Sequence, residues 1–394
     1  MTSSPSKVGR DSRGPGSSGG SWAGTPFLSR RLPRAACPNS QGFEISQSRK
    51  LSQKALMGLV LFGTIAVSVV AMGMGRFSVP PVEVLRILGD KALSWIQLSG
   101  TIGQTWSTEE ATVIWTIRLP RVLLALVVGG GLAVGGAALQ ALFHNPLVSP
   151  DVIGVSAGSA FGGVIAIALG LGQVAILGGA FAAGLLAVGI VMLFGLIRAG
   201  SAILMIVLGG IVTASFFQAL VSLVTYMADP YTTLPAITFW LMGSLASASY
   251  PKLMITAIPV LLGFAAIFAV RWRINILAMG DEDALSLGVN PRRMRLVLIA
   301  AVAMMTASTV AVAGVVGWVG LVIPHLVRMM ISTDYRTVIP GSFILGGGFM
   351  VLIDTLARSM SAGEIPLGVV TALIGAPFFG YLLMRNRNKE LRSA

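Results

Sequence analysis

Two arginines flank a Leu-Pro pair at the start of a long apolar segment, and these are the first residues with recognisable chemistry. Arg118 and Arg121 precede 22 uncharged residues, 122–143, and Arg358 follows Asp354 by four residues in a second apolar segment. A guanidinium group binds carboxylates in a planar, bidentate manner, so the three arginines are candidate docking points for acidic side chains of an external protein. The alternatives are interfacial snorkelling and, for Arg358, pairing with Asp354 on one helix face.

A second candidate site is the polar insert at 275–295, the largest in the middle of the chain. Its acidic residues at 281–283 favour a helix start, Gly288 favours a helix end, and Asn290-Pro291 favours the start of the next element. A short helix followed by a turn and a second helix can form a binding surface for another protein. A solvated loop is the alternative.

Motifs for nucleotide binding and hydrolysis are missing from the sequence. It contains no GxxxxGK[ST], HExxH or GxSxG, its only histidines are His144 and His325, and Cys37 is its only cysteine. We therefore expect no enzyme activity, no cofactor and no metal site, with His325 in a structural role. Ionisable residues within the apolar segments are also scarce, with Asp354 the best candidate, which disfavours a proton- or sodium-coupled transporter. The driving force is expected from a partner subunit.

The composition is that of a protein with many membrane spans. Of 394 residues, 55% are hydrophobic and 11% are charged, and the mean hydropathy is +0.83. The net charge of +13 does not indicate nucleic-acid binding, because the basic residues lie in tails and loops between apolar runs. Residues 1–54 are predicted to be a disordered, basic cytoplasmic tail and 385–394 a second basic tail.

Uncharged runs of sufficient length predict ten transmembrane helices within residues 55–384. The run at 152–197 is long enough for two helices hinged at 170–173, and the run at 296–324 is divided at 314–320. Residues 76–116 are predicted to be a loop with an interfacial helix at 82–98, and a second external loop starts at 229 and includes Trp240 and Tyr250. The other predicted crossings are 55–75, 122–143, 202–227, 253–270, 338–356 and 366–384.

An even number of crossings places both termini on one side. Leaving out the first 34 residues, this topology puts fifteen Lys and Arg residues on the side of the termini and seven on the other. Cytoplasmic loops are enriched in these residues, so both termini are predicted to be cytoplasmic.

Several of these segments carry a family resemblance. The Arg118–Arg121 motif, Asn145-Pro146-Leu147, the GVSAG segment at 154–158, GDEDALSLGVN at 280–290, the block at 314–328 and GAPFF at 375–379 resemble the FecCD-type permeases. That family comprises the membrane subunits of ATP-binding-cassette (ABC) importers for iron-siderophores and cobalamin. The resemblance implies an all-α type II ABC importer permease fold in the inner membrane and a homodimer with the substrate path on its two-fold axis.

The resemblance also assigns roles to particular residues. It implies that a substrate-binding protein docks on Arg118, Arg121 and Arg358, and that a cytoplasmic ATPase grips coupling helices at about 279–293. The fifth helix would line the path with Ser215, Phe216 and Gln218. The coupling residues implied are Gly280, Asp281, Glu282, Ala284, Leu287, Gly288 and Val289.

The cargo implied is an iron(III)-siderophore-type chelate. Haem, cobalamin and an oxyanion such as molybdate remain open, because selectivity in such importers lies largely in the binding protein. A secondary transporter that needs no ATPase is a distant alternative, and a membrane-embedded enzyme is a third.

Overall fold

The computed structural model describes residues 41–75, 77–95, 103, 105–195, 202–361 and 363–393, and every regular element in them is helical. Besides the α-helices, the described residues form a π-helix at Val113–Arg118 and a 3-10 helix at Pro150–Ile153, and an irregular segment at 314–318 separates two α-helices. The α-helices are α1 Gln41–Gly73, α2 Pro81–Trp95, α3 Thr108–Thr112, α4 Leu119–Leu142, α5 Val155–Ala168, α6 Gln173–Gly195, α7 Ala202–Met227, α8 Thr233–Met242, α9 Tyr250–Leu277, α10 Asp281–Ser286, α11 Pro291–Ala313, α12 Val319–Met330, α13 Tyr335–Ser359 and α14 Leu367–Ser393.

The membrane-protein class is confirmed, but the number of ten crossings is not. Among the described residues, seven helices are long and apolar enough to cross a membrane: Ser52–Gly73, Thr108–Leu142, Gln173–Gly195, Ile203–Met227, Tyr250–Leu277, Pro291–Ala313 and Tyr335–Ser359. Three predicted crossings coincide with the shorter apolar helices Val155–Ala168, Val319–Met330 and Leu367–Tyr381. At 1.5 Å per residue these are about 18–23 Å long, less than the roughly 30 Å of a hydrocarbon core.

The predicted breaks in the two long uncharged runs are confirmed. Helix α5 ends before Gly170, which has φ 65°, and α6 begins at Gln173. Helix α11 ends before Gly314, which has φ 71°, and α12 begins at Val319. Glycine adopts a positive φ without a steric cost, so both breaks follow from residue type.

Three boundaries in the predicted organisation need correction. Helix α14 extends to Ser393, so residues 385–393 of the predicted C-terminal tail are helical. Helix α1 begins at Gln41, so residues 41–54 belong to a helix, whereas residues 1–40 of the predicted tail lie outside the described part of the chain. Helix α8 occupies Thr233–Met242, within the predicted loop. It follows a turn in which Asp229 Oδ2 accepts hydrogen bonds from the Tyr231 and Thr232 amides and the Thr232 hydroxyl. Trp240 of this helix packs over Gly163 of α5.

Helix α4 lies in the interior of the bundle. In the span that contains it, 83% of the most apolar 18-residue window is buried, against 17% in the α1 span. Its glycines permit this, because a Cβ on Gly136 would lie 1.7 Å from the Gly320 carbonyl oxygen of α12. Small residues of this kind let helices in a membrane approach closely. The arginines at the start of α4 are therefore carried into the bundle.

Candidate functional site

The three predicted docking arginines do meet, where α1 and α13 end and α4 begins. Arg121 Nε and Nη2 donate to the Asp354 carboxylate at 2.9–3.1 Å, while Nη1 and Nη2 donate to the Glu364 carboxylate at 2.8 Å. Arg121 thus joins two carboxylates, each in a bidentate manner. The side chain of Asp354 is 3% exposed and that of Glu364 is 32% exposed, so the two carboxylates differ in their access to solvent.

Arg118 and Arg358 are occupied by the backbone at the end of α1. Arg118 Nη1 donates to the Met72 carbonyl at 2.5 Å and its Nη2 to the Phe77 carbonyl, whereas Arg358 Nη1 donates to the Met74 carbonyl at 2.7 Å. The last carbonyls of a helix have no partner inside the helix and carry partial negative charge. The two guanidinium groups therefore cap α1 and hold it against α4 and α13.

The π turn before α4 explains how both arginines of the motif turn inward. Pro120 has no amide hydrogen, and its ring would clash with a carbonyl one α-helical turn earlier. The chain widens into a π-helix at Val113–Arg118, and Leu119 donates to the Ile114 carbonyl, five residues back. Arg118 is 6% and Arg121 8% exposed as a result.

These contacts bear on the alternatives that the sequence left open. The Asp354–Arg358 pair on one helix face exists, with 3.8 Å between Arg358 Nε and Asp354 Oδ2. The closer partner of Asp354 is Arg121, which lies 233 residues away in the sequence, and neither this pair nor Glu364 was predicted. The one available signal was that a buried carboxylate needs a cationic partner. Docking on these arginines remains a prediction.

The polar insert has the predicted helix–turn–helix form. Helix α10 starts after Gly280 and ends before Gly288, and the Asn290 side chain caps α11 by accepting from the Arg293 amide at 3.1 Å. The seven predicted coupling residues differ in their exposure and contacts. Ala284 and Val289 are 0% and 5% exposed and anchor the segment, while Asp281 pairs with Arg295. The exposed remainder is Glu282, Leu287 and Gly288, and Gly280 is partly buried.

The insert is tied to the interior by polar contacts that were not predicted. His144 Nε2 lies 2.9 Å from the carbonyl of Leu277, the last residue of α9, where it is placed to donate. Asn275 donates to the Asp334 carboxylate at 2.7 Å and accepts from the Tyr335 amide at 2.9 Å. His144 follows α4, so the end of α9 is connected to α4 and to the start of α13.

A further buried contact extends this connection to α12. Gln140 of α4 donates to the Val148 and Gly320 carbonyls at 3.1 and 3.3 Å and accepts from Arg328 Nη2 at 2.5 Å. His325, on the same helix as Arg328, packs edge-on against Phe379 with ring centroids 6.3 Å apart.

Two of the three predicted path residues line a cavity. Ser215 and Gln218 of α7 face a cavity of about 800 Å³, and Ser215 also faces a second one of about 480 Å³. Phe216 is not among the lining residues. It is 59% exposed and packs edge-on against Phe217.

Comparisons with known proteins agree with this architecture. The model of the FecCD transport family matches residues 62–385. The molybdate import system permease MolB of Haemophilus influenzae is 39% identical over 84% of this chain and 96% of its own length. The hemin transport system permease HmuU of Yersinia pestis is 37% identical over 78% and 94%, and other relatives are named for iron chelatin and vitamin B12. A solved inward-facing metal-chelate type ABC transporter has a TM-score of 0.75 at 36% identity and covers 84% of this chain and 99% of its own.

Proposed function

The chain belongs to the FecCD transport family, and from this premise we propose that it imports an iron(III)-siderophore-type chelate by alternating access driven by a separate ATPase. It is an ABC importer permease of the FecCD type, as its relatives are. The proposal extends to a homodimer in the inner membrane with both termini in the cytoplasm. The same architecture importing haem, cobalamin or an oxyanion is the alternative.

The proposed mechanism rests on how α10 packs against the bundle. Ala284 holds the short helix against the bundle with no exposure, while Leu285 and Leu287 beside it are 60% and 56% exposed. Exposed apolar side chains on a rigidly anchored helix suit a protein partner better than water. Movement of a partner there would reach α9 directly, and α4 and α13 through His144 and Asn275. This is the contact expected of an ATPase that drives inward and outward opening.

The buried charges argue against a secondary transporter. Arg121 satisfies both Asp354 and Glu364, and the cluster lies where α1 ends, α4 begins and α13 ends. A proton or sodium relay would need ionisable groups along the path. The cluster holds three helices together, and Asp151 is the one ionisable residue among the described residues that line the cavities beside Ser215. No chain of ionisable groups is formed there, so the energy is assigned to nucleotide hydrolysis in the partner subunit.

The binding protein is proposed to dock at the same cluster, where one of its carboxylates would replace Glu364 as a partner of Arg121. Glu364 is the exposed partner of Arg121, whereas Asp354 is fully enclosed. An acidic side chain of the binding protein could replace Glu364 without leaving the guanidinium unpaired. A cavity of about 600 Å³ beside the cluster is lined by Arg358 and Ser361 among others.

Uptake by proteoliposomes that contain the complete transporter tests the main proposal. We expect uptake of a ferric siderophore to require internal ATP and the binding protein, and to stop with an ATPase that cannot hydrolyse ATP. Uptake that continues without nucleotide would establish the secondary-transporter alternative. Parallel assays with haem, vitamin B12 and molybdate decide the cargo.

Binding-protein-stimulated ATP hydrolysis tests the docking proposal. Reversing Arg118 and Arg121 to Glu should abolish stimulation, but it also breaks the contacts that hold α1. Glu364→Gln is the sharper variant, because it removes the charge of the more exposed carboxylate and leaves the Arg121–Asp354 pair and the contacts with the end of α1 in place. Exchange predicts tighter binding of the binding protein to Glu364→Gln, while a purely structural role of the cluster predicts no change.

A further inference from the structure

An acidic side chain lies deep in the molecule beside the path residues. Asp151 belongs to the 3-10 turn Pro150–Ile153 that precedes α5, and it is exposed. It lines both the 800 Å³ cavity and the 480 Å³ cavity, and Ser215 lines both as well. The described lining also includes the polar residues Ser156, Gln218 and Ser222.

The packing of this turn against α7 fixes its depth. A Cβ on Gly210 would lie 2.0 Å from the Val152 carbonyl oxygen, and one on Gly154 would lie 3.5 Å from the Ala214 amide nitrogen. Positions 210–214 are about 12–18 Å along a helix that is about 39 Å long. Asp151 therefore lies at the level of a point between a third and a half of the way along a membrane-spanning helix, more than about 10 Å from the nearer end. A carboxylate at that depth is costly against lipid, so the cavity it faces must hold water.

The described residues place no cation in an ion pair with this carboxylate. Asp151 Oδ1 accepts from the Ser156 hydroxyl at 2.5 Å and Oδ2 from the Ser149 hydroxyl at 3.2 Å. Within the described part of the chain, no ion pair includes Asp151, and every other residue that lines the two cavities is uncharged.

The fold itself needs the hydrogen bonds of Asp151 but not its charge. Its contact with Ser156 helps to fix the first turn of α5, where the helix dipole also favours an acid. An asparagine could accept the same hydrogen bond from Ser156 through its amide oxygen. The net negative charge thus needs an explanation other than capping.

We infer that Asp151 selects cargo by charge, favouring chelates with no net negative charge over free oxyanions. The inference rests on the proposed function, in which two copies of the chain face one path and so present two such carboxylates. A dianion such as molybdate is repelled by both, whereas a neutral ferric trihydroxamate or a corrinoid is not. At separations of about 8 Å in a partly hydrated path, each carboxylate should alter the local concentration of a singly charged species about three- to tenfold.

Charged thiol reagents measure this field without any knowledge of the natural cargo. Ser215→Cys is introduced into the full chain with Cys37→Ser, and the thiol is modified by a cationic trimethylammonium-ethyl or an anionic sulfonatoethyl methanethiosulfonate. We expect the ratio of cationic to anionic rates to fall about ten- to hundredfold when Asp151→Asn is added, because the carboxylate raises the local concentration of the cation and lowers that of the anion by the same three- to tenfold. Asp151→Glu should preserve the ratio. Because both reagents attack the same thiolate, the ratio is independent of how much thiolate is present.

A control thiol separates failure of the inference from failure of the proposed function. Leu171→Cys lies in the loop between α5 and α6, and its ratio should not respond to Asp151→Asn. If the thiol at position 215 reacts but Asp151→Asn leaves its ratio of cationic to anionic rates unchanged, the inferred charge selection is wrong. The proposed aqueous path past Ser215 is then still supported. If the loop thiol reacts and the thiol at 215 reacts with neither reagent, no aqueous path passes Ser215 and both proposals are overturned.

Uptake assays then test the cargo itself. In proteoliposomes with the complete transporter, a neutral ferric trihydroxamate should be taken up in preference to molybdate. Asp151→Asn should raise the ratio of molybdate to chelate uptake by about the same factor as in the thiol assay. Uptake of molybdate in preference to the chelate by the unaltered chain would overturn the assignment.

Discussion

The buried charge cluster gives the sharpest test of the structure, through the unequal environments of its two carboxylates. Arg121→Gln removes the cation that both share and leaves Asp354, 3% exposed, with only Arg358 at 3.8 Å. Removing one member of a buried ion pair destabilises a protein by about 3–5 kcal/mol. Coulomb's law with an effective dielectric constant of about 20 gives a similar energy for two unit charges about 4 Å apart. Glu364 is 32% exposed, so solvent screening reduces the cost of Glu364→Gln to about 1 kcal/mol or less.

The assay is unfolding of the purified chain in detergent or bicelles, followed by tryptophan fluorescence. We expect the order of destabilisation to be Arg121→Gln, then Asp354→Asn, then Glu364→Gln. The double variant Arg121→Gln/Asp354→Asn should be no less stable than the worse single variant, because neither charge is then left alone. A coupling free energy of about 2–3 kcal/mol is expected from this cycle.

Two results would refute the reasoning. Equal losses from Asp354→Asn and Glu364→Gln would mean that the two carboxylates share one environment. Strict additivity in the double variant would mean that Arg121 and Asp354 do not interact in the membrane-embedded protein.

Three further predictions follow from packing. Gly136→Ala should lower the melting temperature sharply because its Cβ would lie 1.7 Å from the Gly320 carbonyl, whereas Gly189→Ala, with open space around it, should be neutral or stabilising; equal effects would contradict the packing of α4 on α12. Leu287→Ala should weaken co-purification with the ATPase and leave the melting temperature unchanged, and intact association would count against the coupling role. Gln140→Leu should cost about 1–3 kcal/mol in unfolding free energy by leaving its guanidinium partner on α12 unsatisfied, and should slow uptake; an unchanged melting temperature would show that this contact is dispensable.

Helix existence was predictable from the sequence because it depends on local signals. An uncharged run marks a helix, and a glycine with positive φ marks its end, as at Gly170 and Gly314. The insert was predictable for the same reason. Acids at 281–283, Gly288 and Asn290-Pro291 each act within one turn of the chain.

The number of full crossings was not predictable, because length along the sequence does not fix depth in the membrane. The uncharged run at 152–197 contains 46 residues, enough for two spans. In the structure α5 has only 14 residues, since it starts at a turn buried against Gly210, about a third of the way along α7. Helix α8 was missed for a related reason. Its aromatic Trp240 suggested a membrane interface, but it packs on Gly163, which no local pattern reveals.

For the three arginines, the sequence predicted where they lie but not which groups they contact. Their location at helix ends was readable from the sequence, but their partners lie far along the chain and turn them inward. Arg118 and Arg358 satisfy carbonyls at the end of α1, and a hydrogen bond from a charged donor contributes about 1.5–3 kcal/mol. A binding protein that drew either one outward would lose several of these bonds and release α1. Exchanging Glu364 for another carboxylate keeps two carboxylates on the Arg121 guanidinium, so among the three arginines Arg121 is the one whose own charged contacts are conserved on docking.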